Sequence, residues 1–476
     1  MSRRISMHIA CAAMLLPMMM AAAAPRQSTA AVAVWLTSAD RSSLVAEQPA
    51  RLAFTKTAAA TGLVIDVDPS HRFQTMDGFG FALTGGSAEL LMRMSPEHRA
   101  ALLKEMFGTA SGSIGVSYLR VSVGASDMNS RVFTYDDLPA GETDPEVSKF
   151  NLGPDLADVV PVLNEILAIN PKISILASPW TAPSWMKTNN LPKGGSLDPK
   201  WYAAYAQYFV EYLRAMASYG ITIRALTIQN EPLNPKNTPS MVMTANEEST
   251  FLSDALGPAL RKAGLKTEVV LYDHNCDRPD YPLDILADPK AAQYATGSGF
   301  HLYGGTIDAM SKVHDQHPDK ALYFTEQMVV DHKNDEHFNI AESISRLMIG
   351  APRNWSRNVL LWNLAADPNF GPHTNDGGCP VCQGAITLDG DQVTRNLAFY
   401  TVAQVSKFVR AGSVRIGSET ADNTALPNVA FETPDHRTVL LVANTGKTEQ
   451  TFTVKDRKQM FTAKLRAGDV ATFVWP

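Results

Sequence analysis

Apolar runs and helix-like segments alternate along the middle of the chain. The segment that ends at Gly220 shows the helical pattern, because apolar residues recur there at spacings of four, four and three: Tyr205, Phe209, Leu213 and Met216. Eight other runs are rich in β-branched and aromatic residues and therefore predict strands. They are MDGFGFALT (76–84), YLRVSV (118–123), ISILASPW (173–180), ALTIQNEP (225–232), VVLYDH (269–274), GSGFHLY (297–303), ALYFTE (321–326) and VLLWNLA (359–365).

Eight strand–helix repeats in succession predict an α/β fold, a closed (β/α)₈ TIM barrel of parallel strands. Ser95 followed by Pro96 marks one helix start, and Gly108 can end that helix. The alternative, an open doubly wound sheet that binds a nucleotide, calls for a G-x-G-x-x-G turn after a strand. The segment GFGFALTGG (78–86) does not have that spacing.

Short alternating strand patterns flank the barrel on both sides and predict an attached β-sandwich built from both chain ends. We expect residues 25–70 to supply its N-terminal strands, residues 71–408 to form the barrel and residues 409–476 to complete the sandwich. The strand patterns are AVAVWLT, RLAFT and LVIDVD before residue 70, and SVRIG, NVAFET, TVLLVAN, TFTVK and VATFVW after residue 409.

The first 24 residues are typical of a secretory signal. Arg3 and Arg4 precede an apolar stretch from Met7 to Met20, and small residues up to Ala24 offer a cleavage site. The alternative is an N-terminal membrane anchor, but the apolar stretch is shorter than the ~20 residues that span a bilayer. We expect a secreted or periplasmic mature chain without a membrane span.

The charge balance argues against nucleic acid as a partner. The net charge is −6, and the charged residues are scattered without the basic stripe that phosphate neutralisation needs. With 45% hydrophobic residues the chain can bury a large core. We expect a monomer.

Three cysteines remain once Cys11 leaves with the signal. Cys379 and Cys382 form a C-x-x-C, which in an exported chain favours a small loop-closing disulfide. Free or redox-active thiols are an alternative, and so is a metal site, although only His373 offers an obvious further ligand nearby. The sequence leaves the state of Cys276 open.

Catalytic groups of a (β/α)₈ barrel lie at the carboxyl ends of its strands. Asn230 and Glu231 end the fourth strand and Glu326 ends the seventh, so two carboxylates should face each other across the barrel mouth. As a tripeptide, Asn-Glu-Pro could equally be a polar turn. The other polar or aromatic candidates at or near strand ends are Arg120, Asp127, Trp180, His301, Tyr303 and Trp362.

Two carboxyl groups about 5 to 5.5 Å apart are the machinery of a retaining glycoside hydrolase. The acid needs a pKa raised by burial or by the neighbouring carboxylate, whereas the nucleophile needs donors such as Arg120 and Tyr303 to keep it ionised. Trp180 and Trp362 could stack on a sugar face, as could Trp185, although any tryptophan here could instead pack in the core. This chemistry needs no metal or organic cofactor.

Seven segments then resemble, in order and spacing, the motifs of glycoside hydrolase family 30, the group that contains glucosylceramidases and endo-β-1,6-glucanases. The resemblance runs from about residue 64 to the C-terminus and implies a retaining β-glycosidase with Glu231 as acid/base and Glu326 as nucleophile. The segments are GFGFALTGGSA, LRVSVGASD, LASPWTAPSWMKTN, TIQNEP, FHLY, FTEQ and LLWNLAADPNFGP.

The same resemblance implies roles for the remaining candidates. Those that would hold the glucosyl unit before the cleaved bond are Asp127, Trp180, Asn230 and Trp362. Those that would support the nucleophile and its neighbours are Arg120, His301 and Tyr303.

Two positions depart from the glucosylceramidase pattern. Leu302 stands where those enzymes tend to have Trp, and Gly85 follows Thr84 where they have Asp. The polar loop 367–390 resembles that of β-1,6-glucanases, whereas a ceramide tail would favour an apolar rim. We therefore expect an endo-β-1,6-glucanase acting on β-glucan, with glucosylceramidase or another exo-acting β-glucosidase as the alternative. Xylan, fucoside or galactoside specificity is a further possibility within the family.

Two readings from other classes are weaker. A catalytically silent carbohydrate-binding protein is not favoured, because both glutamates are present. A metal-dependent barrel hydrolase or deaminase needs clustered His and Asp at strand ends, and His274 and His301 are the only histidines so placed.

Overall fold

The computed structural model of the protein describes residues 31–55, 63–331, 338–420 and 425–476. The expected signal segment, residues 1–24, lies outside these ranges. Among the residues that are described, no helix is both long and apolar enough to cross a membrane.

Four strands precede the barrel, and the eight barrel strands follow. The first four are β1 (Ala31–Thr37), β2 (Ala46–Glu47), β3 (Leu52–Ala53) and β4 (Leu63–Thr75). The barrel strands are β5 (Gly78–Leu83), β6 (Tyr118–Val123), β7 (Ser174–Pro179), β8 (Ala225–Thr227), β9 (Glu268–Cys276), β10 (Ala295–Gly305), β11 (Ala321–Glu326) and β12 (Ser356–Leu361). Each of the eight falls on one of the predicted runs.

The eight strands are parallel, each pairs with the next, and β12 closes onto β5. They are buried on both faces, which explains their nearly continuous apolar sequences. Side chains from six strands form one buried cluster in the interior, which is packed as the interior of such a barrel requires. The cluster consists of Tyr118, Leu176, Ala225, Val270, Tyr323 and Leu360. The predicted (β/α)₈ barrel is confirmed.

Helices surround the barrel. They are α1 (Gly85–Arg93), α2 (Pro96–Phe107), α3 (Val159–Ile169), α4 (Tyr202–Ser218), α5 (Ala245–Phe251), α6 (Gly257–Lys262), α7 (Asp280–Leu286), α8 (Pro289–Ala292), α9 (Ala309–Gln316), α10 (Ile340–Ser343), α11 (Gly350–Arg353) and α12 (Leu397–Ser406). As predicted, α2 begins after Ser95 with Pro96 in its first turn and ends before Gly108. In α4 the predicted apolar face is buried against the barrel.

Shorter helical turns complete the connections. Turns of 3₁₀ helix lie at Gly153–Leu156, Ser184–Met186 and Pro199–Trp201. A π-helical turn, Leu252–Leu256, joins α5 to α6, and another, Ile344–Ile349, joins α10 to α11.

A small three-stranded sheet follows the last barrel strand and was not predicted. It consists of β13 (Ala365–Ala366), β14 (Ile386–Asp389) and β15 (Gln392–Arg395). Residues 367–385, which connect β13 to β14, are called the disulfide loop below. Because β13 extends the chain directly from the barrel mouth, the disulfide loop lies beside that mouth.

The remaining strands build the sandwich together with β1 to β4. They are β16 (Val414–Thr420), β17 (Asn428–Glu432), β18 (Thr438–Ala443), β19 (Gln450–Asp456), β20 (Gln459–Leu465) and β21 (Val470–Trp475). Strand β1 pairs with β21, and β4 lies between β16 and β19, so both chain ends contribute as predicted. The sandwich has its own apolar core, separate from that of the barrel.

Gln404 on α12 fastens the sandwich to the barrel. Its amide nitrogen donates to Trp35 O and to Thr472 Oγ1, both at 2.9 Å, and its oxygen accepts from Thr37 Oγ1 at 2.6 Å. The contacts to Thr37 and Thr472 are buried, so the two bodies share a fixed polar contact within an apolar junction.

Candidate active site

A cavity of about 450 Å³ opens at the carboxyl ends of the barrel strands, where the sequence places its candidates. This volume is within the range of small-molecule sites. Seven of the nine predicted site residues line the cavity, and the other two lie beneath it. Those lining the cavity are Asp127, Trp180, Asn230, Glu231, Tyr303, Glu326 and Trp362. Arg120 and His301 lie beneath, with no exposed surface.

Glu231 and Glu326 converge in this cavity. One carboxylate oxygen of each and a ring nitrogen of His301 all lie within 4.8 Å of one another. His301 Nδ1 is 3.2 Å from Glu231 Oε1 and 3.8 Å from Glu326 Oε1. The carboxylates thus lie closer together than the ~6.5 to 9.5 Å that leaves room for a water in an inverting enzyme.

The backbone turns sharply to bring Glu231 into place. Hydrogen bonding of β8 stops at Thr227, and Glu231 adopts φ of 45°, which is unusual for a residue with a side chain. Its amide donates to Asp273 O at 3.0 Å, and Asn234 Nδ2 donates to Glu231 Oε2 at 2.7 Å. Strain of this kind at a polar, buried residue is typical of functional sites.

Arg120 links three of the polar groups under the cavity. Its Nη1 donates to Glu326 Oε2 at 2.6 Å, and its Nη2 donates to Asn230 Oδ1 at 2.6 Å and to Asp273 Oδ2 at 2.8 Å. Its Nε donates to Ser178 Oγ at 3.1 Å. A buried guanidinium needs such partners, and it holds the acceptors in fixed positions in return.

Asp273 is the functional residue that the sequence reasoning missed. It is fully buried and accepts from Arg120, from Ser178 and Thr227 on Oδ2, and from Thr325 on Oδ1, while His301 Nε2 lies 3.0 Å from Oδ1. These donors and cations hold the pKa of Asp273 far below its usual range despite burial. An Asp inside the apolar run VVLYDH was the available signal, because a buried carboxylate requires a cation or several donors.

A β-bulge aims Asp273 inward. Tyr272 and Asp273 have φ of 73° and 59°, and the register between β9 and β10 shifts at this point. The buried carboxyl of Glu248 on α5 accepts from Tyr272 N at 3.0 Å and from Tyr281 Oη at 2.8 Å. Because a bulge redirects the side chains around it, Glu248 helps to fix where Asp273 points.

Tyr303 contacts Glu326 from the cavity side. Its hydroxyl donates to Glu326 Oε1 at 3.0 Å and accepts from Met328 N at 2.9 Å. Glu326 therefore has a donor on each oxygen, Tyr303 on one and Arg120 on the other.

The proton affinities of the two glutamates differ from the sequence-based expectation. Although burial opposes it, the hydrogen bond and positive charge of His301 lower the pKa of Glu231 to about 2. Burial raises the pKa of Glu326 against the charges of His301 and Arg120. From the sequence we expected a raised pKa for the acid, Glu231, and an ionised carboxylate for the nucleophile, Glu326. The physical reason is that the proton of this coupled group lies on His301, whose pKa is about 9 because three carboxylates outweigh its burial.

The proton on His301 also affects whether this cluster can bind a metal ion. Glu231, His301 and Glu326 are close enough to share one ion, but a ring nitrogen must be free of its proton to coordinate a metal. Both nitrogens of His301 instead contact carboxylate oxygens, of Glu231 and of Asp273.

Asp127 differs from the other carboxylates of the cavity. Burial and the charges of Glu326 and Glu231 raise its pKa to about 8. At neutral pH it is therefore mostly a neutral acid, which can donate a hydrogen bond as well as accept one.

The three candidate tryptophans separate into two groups. Trp180 and Trp362 stack on each other with ring centroids 5.5 Å apart, and both line the cavity. Trp185 does not line it: its indole nitrogen donates to Asp136 O at 3.0 Å and its ring packs edge-on against Trp201. Trp185 is a packing residue, which was one of its two readings.

Cys379 and Cys382 form a disulfide, and Cys276 is free and buried. The disulfide lines the cavity and packs on Trp180 and Trp362. The disulfide loop is tied to other mouth loops by Thr374, whose Oγ1 donates to Thr238 O at 2.7 Å, and by an ion pair between Lys193 and Asp376 at 2.9 Å. The expected disulfide is confirmed, and the zinc and free-thiol readings are wrong.

Comparison with known families identifies the fold and the chemistry. Residues 76–409 match the glycosyl hydrolase family 30 TIM-barrel domain, and residues 412–473 match the glycosyl hydrolase family 30 beta sandwich domain. The chain belongs to glycosyl hydrolase family 30. It is therefore a glycoside hydrolase, and the resemblance seen in the sequence is confirmed.

Several relatives are similar to this chain over most of their length. An endo-1,6-beta-D-glucanase of Neurospora crassa is 35% identical over 431 residues, 87% of this chain and 88% of the relative. The lysosomal acid glucosylceramidase of Mus musculus is 29% identical over 443 residues, 87% of this chain and 84% of the relative. A solved endo-β-1,6-glucanase superimposes with a TM-score of 0.85 at 31% identity, covering 94% of this chain and 99% of that one.

Proposed function

We propose that the protein is a retaining endo-β-1,6-glucanase with Glu231 as acid/base and Glu326 as nucleophile. The observation that carries the mechanism is the close approach of the two carboxylates, within 4.8 Å, at the bottom of an open cavity. The substrate is suggested by relatives named as endo-1,6-glucanases, at 31 to 35% identity.

In the first half of the reaction, Glu326 attacks the anomeric carbon while Glu231 protonates the glycosidic oxygen. The bond from the anomeric carbon to that oxygen breaks, the aglycone leaves as an alcohol and a glycosyl ester on Glu326 forms. In the second half, Glu231 removes a proton from water, the water oxygen bonds to the anomeric carbon, and the ester bond to Glu326 breaks. The anomeric configuration is retained.

His301 is the cationic partner of Glu231, which must take up a proton to act as the acid. In the free site the imidazolium Nδ1–H faces Glu231 Oε1 across 3.2 Å, and Nε2 faces Asp273. Arg120 and Tyr303 meanwhile keep Glu326 in position and stabilise its charge.

The glucosyl unit before the cleaved bond would be held by the residues on the other side of the cavity. Trp180 and Trp362 offer an aromatic surface for its C–H face. Asp127 and Asn230 offer donors and acceptors for its hydroxyls. Because Asn230 also accepts from Arg120, sugar binding and support of the nucleophile are connected.

The aglycone side favours a second sugar over a lipid. The cavity wall after Glu231 contains Asn234, Lys236 and Asn237 together with the apolar Leu233 and Pro235. The similarity to mouse glucosylceramidase supports the second candidate, as do the exposed Leu191 and Val381 on loops near the mouth. We favour the glucan because the relative named as an endo-1,6-glucanase is 35% identical, against 29% for the glucosylceramidase.

Export is part of the proposal. The basic and apolar pattern of residues 1–24 supports a cleaved signal, and a disulfide persists most readily in an oxidising compartment. We infer a secreted or periplasmic monomer. N-terminal sequencing of protein recovered outside the cytoplasm should give a start near residue 25, and recovery of an uncleaved chain from membranes would contradict this.

One comparison tests the activity. The wild type and Glu326→Gln are incubated with β-1,6-glucan, β-1,3-glucan, glucosylceramide and cellobiose, and products are separated by size. We expect oligosaccharides of intermediate length from β-1,6-glucan with the wild type and none with the variant, which should still bind β-1,6-glucan by calorimetry. Release of glucose alone, or turnover of glucosylceramide only, would replace the proposal with the exo-acting alternative.

A further inference from the structure

His274 lines the cavity and makes no hydrogen bond through its ring to any described residue. It is 9% exposed, and its Nδ1 is buried without a partner. Its Nε2 lies 4.0 Å from Glu231 Oε1, which is too far for a hydrogen bond. Nε2 is not among the fully buried atoms, so it is the ring nitrogen that a molecule bound in the cavity can reach, and it has no partner among the described residues.

The surroundings of His274 disfavour its charged form. Burial lowers the pKa of His274 and the charge of His301 lowers it further, against the opposing charges of Glu231, Asp277 and Asp273. A neutral imidazole carries one proton, and the buried Nδ1 has no acceptor for it. The proton therefore belongs on Nε2, the nitrogen that faces Glu231.

The position of His274 places that donor on the aglycone side. Glu231, its nearest charged neighbour, acts on the glycosidic oxygen, and Asn275, the next residue, also lines the cavity. The tryptophan pair and Asp127 serve the other side of the bond. A group that reaches His274 while the bond lies at Glu231 thus belongs to the leaving sugar.

We propose that His274 is a specificity-determining residue that binds an oxygen of the aglycone glucose next to the cleaved bond. The inference rests on the proposed glucanase function. The 4.0 Å between Nε2 and Glu231 leaves a place for one oxygen that accepts from His274. A sugar hydroxyl or ring oxygen fits this role, whereas an acyl chain offers no acceptor.

The test compares a substrate with an aglycone sugar to one without. His274→Phe and His274→Gln are assayed on gentiotriose, a β-1,6-linked glucose trimer, and on 2,4-dinitrophenyl β-glucoside, whose leaving group needs neither a proton nor a sugar contact. We expect His274→Phe to lower kcat/KM on gentiotriose about 10- to 100-fold, the effect of one lost hydrogen bond to a buried group. Activity on the aryl glucoside should stay within about twofold, and His274→Gln, which keeps a donor, should recover part of the loss.

Controls separate this role from a structural one. His98→Phe, at an exposed position on α2, should match the wild type on both substrates. Equal losses of His274→Phe on both substrates, or a loss on neither, would overturn the inference. So would a shift in the pH profile on 4-nitrophenyl β-glucoside, because His274 would then act through Glu231. If the wild type does not cleave gentiotriose, the proposed function fails together with the role of His274. If the wild type cleaves it and His274→Phe cleaves it equally well, only the role of His274 in binding the aglycone is refuted.

Discussion

Arg120 Nη1 lies 2.6 Å from Glu326 Oε2, and neither side chain of this pair is more than 8% exposed. The same guanidinium also pairs with the fully buried Asp273. One cation thus compensates two carboxylates inside the barrel, and a third, Glu231, faces His301. The electrostatics of the site depend on both cations, so changes to either should affect folding and catalysis together.

Removal of Arg120 should therefore be costly. Arg120→Met leaves Asp273 and Glu326 without their cation, and we expect a loss of about 3 to 5 kcal/mol in the free energy of unfolding. Chemical denaturation checks this, with Arg214→Met on the exposed side of α4 as the control. A variant that unfolds at the wild-type denaturant concentration would show that the pair adds nothing to stability. Arg120→Lys should recover the charge without the fork that contacts Asn230 and Glu326, and so should recover stability more than kcat.

Loss of the acid should depend on the leaving group. Glu231→Ala should lose turnover of β-1,6-glucan by several orders of magnitude while retaining turnover of 2,4-dinitrophenyl β-glucoside, which leaves without a proton. Added azide should raise the rate by taking the place of the activated water, and the product should be a β-glucosyl azide. Glu211→Ala on α4 serves as the control. Wild-type rates on glucan for Glu231→Ala would refute the assignment.

His301 should make stability depend on pH. Its folded-state pKa of about 9 lies above the usual 6.5, so the bound proton stabilises the fold. This contribution, on the order of 3 kcal/mol, is fully present below pH 6.5 and is lost as the pH rises through about 9. Denaturation at a series of pH values should show that His301→Gln falls furthest below the wild type near pH 6, with a smaller gap near pH 10. A gap that stays constant, as expected for the exposed His98→Gln, would contradict a raised pKa.

The disulfide should matter more for glucan than for a small substrate. It lies in the cavity wall and holds part of the disulfide loop against the tryptophan pair. Replacing both cysteines by serine should cost about 2 kcal/mol of stability, as expected for so short a closed loop. The KM for β-1,6-glucan should rise several-fold, with little change for 4-nitrophenyl β-glucoside. A reductant should have the same effect on the wild type and none on the double variant; identical KM values in all samples would exclude a role in substrate binding.

The sequence was sufficient for the barrel and for most of the site because both follow from local patterns. Glu231 and Glu326 could be predicted because each ends a strand. The carboxyl ends of the barrel strands converge on one face, so the two side chains were expected to meet there. Asp273 was not predicted because its direction depends on the bulge in β9. Glu248 on α5 holds that bulge, and no short sequence pattern encodes a contact between these two elements. The shape of the disulfide loop likewise depends on partners far along the chain, such as Lys193 for Asp376. That His301 carries the shared proton could not be predicted either, because it depends on how close His301 lies to Glu231, Asp273 and Glu326.

The pairing of β1 with β21 and of β4 with β19 joins the first strands of the chain to the last ones. Although β1 also pairs with β2 and β3, its pairing with β21 and that of β4 with β19 cannot form until the last strands have been made. Removing either end would leave unpaired edges on the other, which invite association with other chains. Fusion partners or shortened versions of this enzyme should therefore retain β1 and β21 together.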